Sequence, residues 1–156
     1  MQSQLVEEIV SEAIQHTNRS GADRRITVFH ENDLLLARCD ARLIVQVIIN
    51  LVDNAIKYTP AGSRIQISTK QEDNNVVFSV ADNGLGVPDN EKEHIFQMFY
   101  TGTAVAADSR RSIGLGLSLC RSIVNAHGGE ITVSDNVPQG AVFTFTVPTG
   151  EVDVHE

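Results

Sequence analysis

Apolar residues recur at helical spacing in three stretches of the chain, and each stretch predicts an amphipathic helix. The first covers about residues 5–14. The second begins after Asp40, a favoured N-cap residue, and stops before Pro60. The third opens at residues 114–117 and runs to about His127, where two glycines give the usual C-terminal stop.

Shorter segments rich in β-branched or alternating apolar residues predict strands, which the intervening turn residues arrange in pairs. The predicted pairs are 26–29 with 34–37, 63–70 with 75–82, and 130–135 with 140–147. Together with the three helices, they predict a two-layer α/β (α+β) sandwich. In this fold, helices pack on one face of a mixed, largely antiparallel sheet.

The length and charge of the chain limit its possible functions. A chain of 156 residues fits one domain, which we expect at residues 1–150, followed by an acidic tail at 151–156. A net charge of −8 without a dense Lys/Arg run argues against nucleic acid as a partner and against direct membrane contact. Without a signal peptide or a spanning apolar run, the segment is expected to be cytoplasmic. Cys39 and Cys120 are predicted to be buried thiols.

Polar side chains form one stripe on the second predicted helix. Asn50, Asn54 and Lys57 are spaced i, i+4 and i+7, which places them on one face. They could simply be the solvated face. The choice of asparagine nevertheless favours a ligand site, because a carboxamide oxygen can bind Mg²⁺ while Lys57 attracts phosphate.

Two glycine-containing motifs complete the candidate site. Asp82 ends a strongly apolar predicted strand, so its carboxylate is expected to be partly buried and to need hydrogen-bond donors. Gly84 and Gly86 would let the backbone approach a flat ring, although an ordinary turn aspartate explains Asp82 equally well on its own. Residues 114–117 place free backbone amides at a helix N-terminus, which suits an anion.

In this order and at these separations, the motifs resemble the catalytic ATP-binding domain of bacterial sensor histidine kinases, within the family shared with gyrase, Hsp90 and MutL. The resemblance covers essentially the whole chain and implies the Bergerat-type ATP-binding fold. It rests on residues 50–58 (asparagine box), 82–86 and 114–117 (glycine boxes), 95–100 (phenylalanine box) and 140–143 (last glycine-containing strand). Residues 119–124 and 127–129 are further similar to the potassium-responsive sensor kinases.

The resemblance implies a role for each matched residue. Asp82 would accept a hydrogen bond from adenine, Asn54 with Asn50 would hold Mg²⁺, Lys57 would neutralise phosphate and Tyr58 would stack near the base. Asn50 and Lys57 would lie closest to the reacting phosphate. The loop 100–113, small, polar and aperiodic, would be the ATP lid. The remaining nucleotide-site residues would be Gly84, Gly86, Ile95, Phe99, Tyr100, Gly114, Leu115, Gly116 and Leu117.

Several positions depart from the family pattern. Thr101 stands where an arginine is common, so Arg110 or Arg111 would have to supply the cation at the terminal phosphate. Ser112 replaces a glycine at the far end of the lid. The hydrolytic members use a glutamate at the position of Asn50, and asparagine cannot take a proton, so efficient ATP hydrolysis is disfavoured.

The histidines of the chain lack the sequence context of a phosphoacceptor. The resemblance therefore implies two partners: a dimerisation and phosphoacceptor domain of the same protein, and a response regulator. The whole protein would be a membrane-anchored bacterial sensor with this domain on the cytoplasmic side. Two alternatives stay open, namely a degenerate nucleotide-binding or protein-interaction module without phosphotransfer, and an anti-sigma-type serine kinase.

Overall fold

The structure is a computed structural model that describes residues 2–17, 25–32, 34–57, 59–97 and 116–150. The predicted lid and tail therefore lie outside the described residues. So do seven of the predicted site residues: Tyr58, Phe99, Tyr100, Arg110, Arg111, Gly114 and Leu115.

The described residues form three helices and seven strands, in an order that agrees with most of the predicted elements. The helices are α1 (Val6–Thr17), α2 (Ala41–Lys57) and α3 (Gly116–Ala126). The strands are β1 (Gln2–Leu5), β2 (Arg25–His30), β3 (Leu36–Cys39), β4 (Arg64–Glu72), β5 (Asn75–Asp82), β6 (Ile131–Asp135) and β7 (Ala141–Pro148).

The main sheet has five strands in the order β2-β4-β5-β7-β6. Strands β2 and β4 are parallel, and the other neighbours are antiparallel. Both predicted hairpins, β4–β5 and β6–β7, are confirmed. The three helices pack against this sheet, so the predicted two-layer sandwich with a mixed, largely antiparallel sheet is also confirmed.

The predicted pairing of residues 26–29 with residues 34–37 is wrong. Strand β2 instead pairs with β4, and β3 pairs with the unpredicted β1 in a separate two-stranded ribbon. The parallel β2–β4 pair needs a long crossover connection, which the α2 segment supplies. Short strands do not encode their partner locally, and the polar sequence of β1 gives no strand signal.

The β1–β3 ribbon is attached to the end of β7. The main-chain N–H of Gly150 donates to the carbonyl of Leu36 over 2.8 Å, and Ala37 bridges to Thr149. A Cβ on Gly150 would lie 2.7 Å from the Ser3 hydroxyl oxygen. Residues 3 and 150 are therefore direct neighbours.

Helices α2 and α3 are antiparallel neighbours. The Cys120 thiol donates to the carbonyl of Val47 over 3.8 Å, and seven residues later, just past the end of α3, the His127 Nε2 accepts the Asp40 N–H over 3.1 Å. Asp40 also caps α2, because its Oδ1 accepts the Arg42 N–H over 3.1 Å. The N-terminal turn of α3 therefore lies beside the C-terminal half of α2.

Candidate functional site

The carboxylate of Asp82 is buried at the end of β5. Its side chain is 7% exposed and points to the same face as Val80 and Phe78, because alternate residues of a strand share a face. That face carries the core beneath the helices. Asp82 thus places a carboxylate at the helix-facing edge of the sheet.

Two main-chain donors hold this carboxylate at one oxygen. The Gly84 N–H donates to Oδ1 over 2.9 Å, and the Ala141 N–H donates to the same atom over 3.3 Å. Among the hydrogen bonds within the described residues, none goes to Oδ2. Burial raises the pKa of Asp82, and the two N–H donors oppose this rise. The second oxygen is therefore able to accept a donor from a ligand.

The β6–β7 loop packs against the main chain of Asp82 and the loop that follows it. The Asn136 Nδ2 donates to the Asp82 carbonyl over 2.7 Å, and the Gln139 Nε2 donates to the Asn83 carbonyl over 3.2 Å. A Cβ on Gly86 would lie 2.9 Å from the Gly140 carbonyl oxygen. The close approach that Gly86 permits in this structure is thus to the protein's own backbone.

Asn136 carries no sequence signal that would assign it to this site. Its neighbours predict only a turn between two strands. The contact with Asp82 depends on β7 lying between β5 and β6, which is a property of the sheet order. Only tertiary structure brings the loop to the strand end.

Asn50 joins α2 to α3. Its Oδ1 accepts a hydrogen bond from the Gln46 Nε2 over 2.8 Å, and its side chain lies close enough to the Cys120 thiol to lower the pKa of that thiol. Burial raises the pKa of Cys120 to about 12, against the opposing effect of Asn50. The oxygen of this predicted metal ligand therefore already accepts a hydrogen bond within the protein.

Asn54 and Lys57 continue the polar stripe toward the C-terminus of α2. Both are half-buried, as is Asn50, so the stripe runs along the margin of the core rather than on the fully solvated face. Leu51 and Ala55, which lie between them, are buried. The Asn54 amide and the Lys57 ammonium of α2 therefore lie along the edge where this helix meets α3.

The second glycine box is described only in part. Gly116 begins α3, and Leu117 packs against the core. Because α3 is antiparallel to α2, its N-terminus lies at the same end as Asn54 and Lys57. The positive end of the helix dipole there favours an anion.

The described part of the phenylalanine box is anchored to the sheet. Phe96 is buried and contacts Phe143 edge-to-face, with ring centroids 6.0 Å apart, and Ile95 packs beside it. Lys92 pairs with Asp135 over 2.9 Å and also with Asp89. These contacts hold the segment that precedes the predicted lid. Phe96 was not among the predicted site residues.

The predicted buried thiols are confirmed. Cys39 and Cys120 are both buried, and burial, with a smaller effect of Asp40, raises the pKa of Cys39 to about 11. His127 is also buried, and its Nδ1 donates to the Ile123 carbonyl over 2.8 Å while Nε2 accepts from Asp40. Both ring nitrogens of His127 thus serve the packing of α2 against α3.

The asparagines of α2 could hold a Mg²⁺ ion together only after one rearrangement, in which Asn50 gives up its hydrogen bond with Gln46. A half-buried carboxamide such as that of Asn54 suits this ion, which takes few protein oxygens beside water and phosphate. Asn50 could add its oxygen once the exposed Gln46 side chain swings away. Within the described ranges, no group of three or more His, Cys, Asp or Glu side chains could hold a metal ion.

Comparison with known proteins decides the family. Residues 39–151 match the family described as "Histidine kinase-, DNA gyrase B-, and HSP90-like ATPase". The chain belongs to this family. The sensor protein KdpD of Clostridium acetobutylicum is 43% identical to this ATPase domain over 145 residues, which are 93% of this chain and 16% of that relative. The chain thus spans less than a fifth of that relative's length.

Solved histidine kinases have the same fold as this family member. The nucleotide-free catalytic domain of histidine kinase ThkA aligns with a TM-score of 0.84 and 31% identity over 95% of each chain. ThkA in complex with the response regulator protein TrrA aligns with a TM-score of 0.79 and 31% identity, over 94% of this chain and 41% of that one. This chain is therefore an ATPase domain of the sensor-kinase type. No helix among its described residues is long and apolar enough to cross a membrane.

Proposed function

We propose that this domain binds ATP with Mg²⁺ and donates the γ-phosphate to a histidine outside the chain, as the catalytic domain of a two-component sensor histidine kinase. The observation that carries the proposal is the Asp82 carboxylate, which is buried and held through Oδ1 alone. A buried carboxylate with an unused oxygen is costly unless a ligand donates to it. The exocyclic amine of adenine is such a donor.

The other described residues would serve the phosphates. The bound metal ion would shield the phosphate charge, and Asn54, with Asn50 after release from Gln46, would hold it. Lys57 at the end of α2 would contribute a positive charge, and the N-terminus of α3 would contribute N–H donors. Tyr58, Phe99, Tyr100, Gly114 and Leu115 are assigned by resemblance alone.

Hydrolysis is not part of the proposal. A water molecule attacking the γ-phosphate needs a base, and the amide of Asn50 cannot accept a proton. The domain should therefore retain ATP until a nucleophile is presented.

The partners follow from the relatives. We infer that the acceptor histidine belongs to a dimerisation domain of the same protein, because KdpD is more than five times longer than the matched region. A response regulator would be the next phosphate acceptor, by analogy with the ThkA–TrrA complex. A potassium-responsive, membrane-anchored kinase with this domain on the cytoplasmic side is the proposed context.

Two measurements test this function. Titration calorimetry with ATP, with and without Mg²⁺, should show metal-dependent binding, and phosphate release should stay far below about 1 per second, an ordinary enzymatic rate. A longer protein that includes the upstream region should phosphorylate itself on histidine. Turnover near the ordinary rate would indicate a hydrolytic ATPase, and ATP binding without self-phosphorylation would indicate a degenerate module.

A further inference from the structure

Asn136 is the residue of the β6–β7 loop that contacts Asp82 through its side chain. Its Nδ2 lies 2.7 Å from the Asp82 carbonyl oxygen, the shortest hydrogen bond between this loop and β5 among the described residues. The same carbonyl is part of the peptide that joins Asp82 to Asn83. Asn136 therefore donates a hydrogen bond to the main chain of the same residue that carries the carboxylate.

The orientation of the Asn136 carboxamide is determined by its other bonds. Its Oδ1 accepts the Val137 N–H over 2.9 Å, which leaves Nδ2 to face the Asp82 carbonyl. The Asn136 main-chain N–H donates to the Gly140 carbonyl over 3.0 Å and so closes the loop on itself. The bonds of Asn136 within its own loop thus fix the orientation of the side chain that contacts β5.

From the same side, the Ala141 N–H holds the Asp82 carboxylate, over 3.3 Å, and the Gly140 backbone lies against the Asp82 carbonyl. Asn136 is the residue on this side whose side chain donates to that carbonyl. Gln139 is exposed and reaches only the Asn83 carbonyl, over 3.2 Å. From the other side, the Asn83 Oδ1 accepts the Arg64 N–H over 2.9 Å, which ties the following residue to β4. The peptide between Asp82 and Asn83 is thus held between the Asn136 contact on one side and the contact of Asn83 with Arg64 on the other. Its plane determines where the Gly84 N–H and the Asp82 Oδ1 meet.

We infer that Asn136 is a positioning residue for base recognition: by holding the Asp82 main chain, it aims the free carboxylate oxygen at the amino group of adenine. This inference rests on the proposed function. Loss of the Nδ2 donor would let the Asp82 peptide rotate, and the carboxylate would lose its alignment. The affinity for phosphates and ribose would not change, since those groups do not meet Asp82.

The test compares two nucleotides that differ only at the base. ATP carries the 6-amino group that donates to Asp82, whereas purine riboside triphosphate lacks it. The variant Asn136→Ser keeps an oxygen able to accept the Val137 N–H but is too short to reach Asp82. The variant Asn136→Asp keeps the shape and replaces the donor by an oxygen that repels the Asp82 carbonyl. Gln139→Ala removes the other amide of the loop and is the matched control.

We expect Asn136→Ser to weaken ATP binding about tenfold, the effect of losing one well-made hydrogen bond to a charged group, with purine riboside triphosphate changed less than about twofold. Asn136→Asp should lose at least as much, and Gln139→Ala should change neither affinity. Equal losses for the two nucleotides, or no loss for either, would overturn the inference. If the unmodified protein does not prefer ATP to purine riboside triphosphate, the role of Asp82 itself is wrong, and both proposals fail.

Discussion

The Cβ that Gly140 lacks would lie 2.0 Å from the carbonyl oxygen of Asp82. Gly140 also has a φ of +114°, in the region that favours glycine. The residue just before β7 and the last residue of β5 are therefore in direct backbone contact. No side chain fits between them, so the β6–β7 loop can lie flat against the strand end that carries the carboxylate.

The substitution Gly140→Ala should destabilise the protein and weaken ATP binding. The control is Gly62→Ala, because Gly62 also has a positive φ, +85°, but nothing lies within 4 Å of its missing Cβ. The control should lose about 1–2 kcal/mol of unfolding free energy from backbone strain alone. Gly140→Ala should lose clearly more in a denaturant titration. Equal losses would mean that the backbone contact with Asp82 relaxes easily.

The substitution Asp82→Asn should separate binding from stability. The new amide presents a donor where adenine also donates, so ATP affinity should fall about 5–150-fold, equivalent to about 1–3 kcal/mol. The exposed turn variant Asp73→Asn is the control, since asparagine tolerates the φ of 55° at that position. Its ATP affinity should be unchanged.

The same Asp82→Asn variant should not be less stable than the unmodified protein at pH 7. Burial raises the folded-state pKa of Asp82 above the ordinary value of 3.8, so the ionised form costs stability at neutral pH. That cost is absent below the ordinary value and develops as the pH rises through the folded value. The stability advantage of the variant should therefore shrink as the pH falls toward 4. An advantage that is independent of pH would exclude this cause.

The substitution Asn54→Ala should reduce ATP affinity in the presence of Mg²⁺ and leave it nearly unchanged with a chelator. The side chain is half-buried at the margin of the core, so the fold should survive its loss. Asn125→Ala, on the exposed side of α3, provides a matched amide deletion. Calorimetry under both conditions measures the difference. A similar loss under both conditions would make Asn54 a structural residue.

The substitution Gln46→Ala tests whether Asn50 is a metal ligand. It removes the amide that donates to the Asn50 Oδ1 over 2.8 Å. If this oxygen must leave Gln46 to bind Mg²⁺, the variant should bind ATP with Mg²⁺ up to about fivefold more tightly, equivalent to about 1 kcal/mol. Binding with a chelator should not change. Weaker binding in Mg²⁺ would instead mean that Gln46 holds Asn50 in its working position.

Replacing both Arg110 and Arg111 by alanine should weaken ATP more than ADP, because Thr101 stands where a cation is expected at the terminal phosphate. The expected loss for ATP is about tenfold, the value of one charge-assisted contact of about 1.4 kcal/mol. Arg38→Ala with Arg42→Ala removes the same charge, from β3 and from the first turn of α2, and should affect the two nucleotides equally. Equal losses for the arginine pair would favour the degenerate module.

The sequence predicted the helices and the two hairpins because their signals are local. The Asp40 cap, the apolar stripe of α2 and the turn around Asp73 each act within a few residues, and the structure confirms them. Strand partners are set by contacts distant in sequence. For that reason the pairing of β2 with β4 and the whole of β1 were not foreseen.

The same distinction holds for the candidate site. The motifs identified Asp82 and the α2 stripe, since the chemistry of those side chains is visible in the residue types. They could not show that Asn50 is held by Gln46, or that Asn136 reaches the Asp82 main chain, since both depend on packing between elements. The approach of a ring to Gly86 stays a prediction, and the contact of Gly86 with the Gly140 carbonyl likewise depends on packing between loops.

The contact between Ser3 and Gly150 brings residues 147 positions apart in the sequence to one corner of the domain. Both residues lie at the Pro148 end of β7, whereas Asp82 lies at the Ala141 end, roughly 23 Å away for seven steps of strand rise. Ser3 and Gly150 thus share one corner of the domain, at the opposite end of the sheet from the Asp82 carboxylate. Under the proposed function, the whole length of β5 and β7 would separate that corner from the base of the nucleotide.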